Sequence, residues 1–122
     1  MKRKFNIPIY DFVLWVVISD DIVKEREKMD EVFGVGDYDE FAAFVSYYNG
    51  YFGIFLTPDA TRNTIAHEIY HLTRRMCGYH HCDYGAAYHE HEALLCGYLT
   101  DLVYGVIDKN EQSKNTTRKD KK

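Results

Sequence analysis

Several things a chain could be built from are scarce here. Three cysteines (Cys77, Cys82, Cys96) in 122 residues are an odd number with no C-x-x-C spacing, which argues against a disulfide frame and for reduced thiols in a cytoplasmic compartment. Long hydrophobic runs are missing: the apolar stretch from Phe12 to Ile18 is far too short to span a bilayer, and no cleavable signal pattern precedes it. The net charge of -4 gives no reason to expect nucleic acid or an anionic membrane as partner. No internal repeat is visible. The oligomeric state is not legible at this level.

What is present suits one ordinary domain. Hydrophobic residues make up 46% and charged residues 28%, with eleven Tyr and seven Phe, enough for a single core. Residues 108–122 contain no apolar side chain and carry a net +3, so residues 1–107 hold -7 of the total -4. The expected division is a folded domain over 1–107 and a disordered polar tail over 108–122.

Residues 9–18 are β-branched and aromatic and read as a buried strand. Asp20-Asp21 opens a helix to about Phe33, which Gly34 and Gly36 end. Residues 41–48 and 51–57 read as two strands joined by Asn49-Gly50, a strong hairpin signal. Thr57-Pro58-Asp59 suits the start of a helix running to about Cys77. A loop with a His80-His81 pair leads to a last helix over about 86–107. The fold class expected is α+β: a small three-stranded sheet with a β-hairpin, packed on three helices in the order β-α-β-β-α-α.

The stretch His67-Glu68-Ile69-Tyr70-His71 reads H-E-x-x-H. On a helix, residues i and i+4 share a face, so two imidazoles can reach one zinc ion, with the intervening Glu placed as a general base. With His67 at zero on a helical wheel, His71 falls near 40°, while Ile65, Ile69, Leu72 and Met76 fall between about 140° and 200°. One face thus enters the core and the opposite face presents both histidines.

Two histidines need a third protein ligand. Arg74 and Cys77 stand where the metzincin extension would place Gly and a third His. The last helix offers His89-Glu90-His91-Glu92, and its apolar stripe is expected to be Tyr88, Leu95, Tyr98, Leu99, Leu102 and Val106. Glu92 lies about 60° from that stripe and Glu90 on the far side. A carboxylate beside the core needs a cationic partner, which makes Glu92 the expected third ligand. His91 is the rival, or orients a ligand, or with Tyr88 stabilises an oxyanion; it also suits plain helix packing. His80, His81 and Cys82 offer a second, weaker metal set. Cys77 and Cys96 read as small core residues.

Residues 67–71 with Glu92, on two successive helices after a hairpin, resemble the zincin metallopeptidases, and among these the gluzincins. The small size also resembles the compact metallopeptidases of bacteriophages and mobile elements. The resemblance covers about residues 41–103. It implies a minimal zincin in which His67, His71 and Glu92 hold Zn2+, Glu68 is the general base, and a peptide or protein is cleaved. The gluzincin pattern N-E-x-x-S-D is not matched, since His91 precedes Glu92 and Leu95-Cys96 replace Ser-Asp. It further implies that the strand before the motif, Tyr51 to Thr57, borders the cleft and pairs with an extended substrate. The alternative is a non-catalytic, zinc-stapled binding or structural protein, such as a virion component or an inhibitor of a host protein.

Overall fold

The computed structural model describes residues 1–8, 10–34, 43–79 and 86–120, with the backbone alone for residues 79, 86–88 and 115–120. The chain is α+β, with a four-stranded mixed sheet in the order β1-β2-β4-β3. The elements are β1 (Lys2–Ile7), β2 (Phe12–Ile18), α1 (Ile22–Glu27), α2 (Asp30–Phe33), β3 (Ala43–Tyr48), β4 (Tyr51–Leu56), α3 (Arg62–Tyr79) and α4 (Ala86–Asp120). β1–β2 and β3–β4 are antiparallel, and β2 and β4 run parallel side by side.

The expected three-stranded sheet therefore gains a strand, β1. Its sequence KRKFNI puts lysines and an arginine on an edge strand, where charge discourages pairing with other chains, and so hides the strand pattern. Asn49 and Gly50 both take positive φ (50° and 85°), the hairpin turn that their residue types favour. The single helix expected after Asp21 is broken at Lys28–Met29. Asp21 caps its first part by accepting from the Lys24 amide, and Gly34 ends the second at φ 84°. Thr61, rather than Thr57, caps α3: its hydroxyl accepts from the Thr64 amide at 3.2 Å, while Thr57 to Ala60 form a turn.

Alternation along the strands divides two cores. Leu14, Val16 and Ile18 of β2 and Phe52, Ile54 and Leu56 of β4 face α3 and α4, which contribute Ile65, Ile69, Leu72, Met76, Leu95, Leu99, Val103 and Val106. Val17 and Phe55 face the other way, against Ile22, Met29 and Phe33 of α1 and α2. On that face Arg26 is buried and fully engaged: it donates to Ser46 Oγ (2.7 Å), Asp30 Oδ1 (2.9 Å) and the Gly34 carbonyl (3.0 Å). The apolar face expected for α3 is the buried one. On α4, Val103 takes the place expected of Tyr98, which is exposed.

Residues 108–120 continue α4 as helix, and the side chains of 108–114 are exposed apart from a partly buried Asn110. Gly36, His80, His81 and Cys82 lie outside the described residues. Among the described residues no helix is long and apolar enough to cross a membrane.

Candidate metal and active site

The helix α3 lies across the β3–β4 end of the sheet, held there by Ile65, Ile69, Leu72 and Met76. The face opposite those anchors turns outward. His67 and His71 are exposed one turn apart, their Nε2 atoms 3.0 Å from each other and their rings edge to face. Two zinc–imidazole bonds at a tetrahedral angle would hold the nitrogens about 3.3 Å apart, so the pair is within a few tenths of an ångström of ligand spacing. The donor chemistry fits a borderline-soft divalent ion.

Glu68 is half-buried beside the pair and lines the same groove. Burial pushes its carboxyl above the ordinary value of 4.5, while the charges of His71 and then His67 pull it back down. A carboxylate raised by desolvation next to two imidazoles has the environment of a proton acceptor working nearer neutrality. The groove, of about 440 Å³, is walled by Ala43, Phe44, Val45 and Tyr47 of β3 and floored by His67, Glu68, His71 and Arg75 of α3.

The strand at the cleft is thus β3, not Tyr51 to Thr57. β4 has β2 paired on one side and β3 on the other, so its main-chain groups are committed. Among the described residues, β3 is the strand with an open edge on this side of the sheet. The parallel β2–β4 pairing, remote in sequence, moves β4 inside.

Glu92 reaches across from α4 to the motif's face of α3, as its place beside the stripe requires. There both its oxygens accept from Arg74 Nη1 at 3.2 Å. Arg74 stands seven residues after His67 and three after His71, on the histidines' side of the helix. Among the described residues no three His, Cys, Asp or Glu side chains converge as a metal set. The structure brings His67, Glu68 and His71 together, and puts Glu92 one turn along, on a guanidinium.

Glu90 is exposed, on the outer side as expected. His91 turns the other way: its imidazole meets the Tyr10 hydroxyl in the β1–β2 turn. With Leu94, Leu95 and Tyr98 it lines a separate apolar hollow of about 330 Å³, so packing is the role its contacts support. Tyr88 belongs to the first turn of α4, and its side chain lies outside the description. Cys77 is buried and Cys96 partly buried.

Arg74 and Arg75 were not singled out from the sequence, yet both belong to the site. At about 340° and 80° on the wheel that puts His67 at zero, they flank the histidine row. Arg74 leans to α4, and Arg75 leans to β3, its guanidinium 4.5 Å from the Tyr47 ring centre.

No family model matches this chain, and no curated protein or solved structure is similar to it at a significant level.

Proposed function

We propose that the protein is a minimal zincin that hydrolyses peptide bonds with one zinc ion. The observation that carries the proposal is the convergence of His67 Nε2 and His71 Nε2, 3.0 Å apart, in a groove that also holds a desolvated glutamate. His67 and His71 would hold the metal, and Glu92 would complete the set on leaving Arg74. When bound, the metal supplies a Lewis acid that activates water and polarises a peptide carbonyl.

The chain's own residues do the rest. Glu68 accepts the proton of the attacking water on its carboxylate and returns it to the departing amine. The open edge of β3 binds the peptide as an added strand, fixing the carbonyl over the histidine pair. The substrate class is a peptide or protein rather than nucleic acid or a membrane. The odd number of cysteines, with no C-x-x-C spacing, supports a reducing, cytoplasmic setting.

The second reading is a zinc-stapled binding or structural protein without activity, which the tie of α3 to α4 by the Arg74–Glu92 pair suits. Peptide hydrolysis by the zinc-loaded chain decides between them. Activity lost in Glu68→Gln with zinc retained supports the peptidase. Activity unchanged in Glu68→Gln removes Glu68 as the base, and no hydrolysis by the zinc-loaded wild type leaves the binding reading.

A further inference from the structure

We propose that the groove selects substrates by a carboxylate, and that Arg75 is the residue that reads it. The proposal rests on the peptidase reading only for where the scissile bond lies. Arg75 lines the groove with His67, Glu68 and His71, one turn beyond His71. Its recorded contact among the described residues is the face of Tyr47, 4.5 Å away. Stacking on an aromatic ring orients a guanidinium while leaving its N–H edge open to a planar bidentate acceptor. Arg74 differs, because Glu92 already accepts from it.

The charge pattern gives the groove a direction. At one end Glu68 carries the acid; at the other stands Arg75. Past Tyr47 and Arg75 the surface continues into a second hollow of about 350 Å³, which Arg74 also lines beside the Asn49-Gly50 turn. The Arg75 guanidinium attracts an anionic group on a bound peptide toward the hairpin.

The spacing sets the register. From the middle of the histidine pair, near residue 69, to Arg75 is about 9 Å of helix rise. An extended peptide covers about 3.3 Å per residue, so the carboxylate belongs about two or three residues from the cleaved bond. It lies on the side toward the hairpin. The ligand chemistry is a carboxylate, from either an Asp or Glu side chain or the α-carboxylate of a peptide terminus.

Binding of fluorescein-labelled neutral octapeptides to the zinc-loaded and zinc-free Glu68→Gln protein tests this, read by anisotropy. One set carries Glu at each position in turn with an amidated C-terminus; another has no Glu and a free C-terminus. The expected result is that one Glu peptide, or the free-acid peptide, binds about five- to tenfold tighter than its Gln or amide counterpart at low salt. The preference should shrink as salt rises and vanish in Arg75→Gln. Arg75→Glu should turn the preference toward a Lys peptide. The set that shows the effect identifies the source of the carboxylate. Equal binding of charged and neutral peptides, no binding of any, or a preference that survives Arg75→Gln overturns the proposal. Cleavage by the wild type without acidic preference overturns it and leaves the peptidase reading standing. Arg75-dependent binding with no cleavage does the reverse.

Discussion

Replacing Arg74 by alanine probes what Glu92 is for. Its side chain is 47% exposed and its partner's 18%, with contacts of 3.2 Å. Exposed pairs of this kind contribute about 0.2–1 kcal/mol. If Glu92 must leave Arg74 to bind zinc, that free energy opposes metal binding. Its removal should tighten zinc by a factor of about 1.4 to 5, the same energy expressed as an equilibrium ratio. Glu92→Gln, which replaces an anionic donor by a neutral one, should weaken zinc about tenfold or more, since even outer-sphere changes cost 10–100-fold. Competition against a chromophoric zinc chelator measures both.

A bare repulsion between Arg74 and the cation would also tighten binding on Arg74→Ala, so the double variant is needed. In the Glu92→Gln background the part of the Arg74→Ala effect that acts through Glu92 should disappear. High salt should draw wild type and Arg74→Ala together. Zinc affinity unmoved by Glu92→Gln would refute the reasoning. The Arg74–Glu92 pair would then serve only to tie α3 to α4.

Other consequences are local. In metal-free protein, Glu68's raised pKa means that folding favours its protonated form. That contribution is fully present below the ordinary value of 4.5 and is lost as pH rises through the folded value. Glu68→Gln should therefore gain stability relative to wild type between pH 4 and pH 8 in melting experiments; a constant difference across that range contradicts the burial. Gly53→Ala would place a methyl 2.9 Å from a Phe55 ring carbon and 3.0 Å from one of Phe33, an overpacking cost of about 1–3 kcal/mol by denaturant titration. Arg26→Ala strips Ser46, Asp30 and the Gly34 carbonyl of their shared donor, and should cost about 2–3 kcal/mol with the histidine groove unaltered. Truncation after Ile107 should lower helical ellipticity and leave the melting temperature within a few degrees, because residues 108–114 bury no side chain.

Periodicity made α3 legible, since its four anchors and two histidines occupy opposite sides of one wheel. The hairpin was legible too, because Asn-Gly leaves few other choices of turn. What escaped the sequence were features decided by distant partners. β1 is a charged strand whose existence depends on β2, and β4 became interior through a parallel pairing with a strand more than thirty residues earlier. Glu92's position beside the core stripe was readable, but its companion was not, because the stripe argument asks only for a cation and Arg74 is one. The same wheel that placed His67 and His71 also carried Arg74 and Arg75 on their flanks. The wheel carries a signal for both arginines, but a cation beside two histidines is not a metal donor and does not stand out by ligand chemistry. His91 was ambiguous for a related reason: only the β1–β2 turn, which brings Tyr10 to it, decides its direction.

Zinc stoichiometry tests the central claim most directly. The chain, purified without chelators and analysed for metals beside His67→Ala and Glu68→Gln, should carry about one zinc per molecule. Glu68→Gln should retain it and His67→Ala should lose it. Wild-type protein that holds no zinc and takes none up on titration, or His67→Ala protein that holds as much as wild type, would contradict the account.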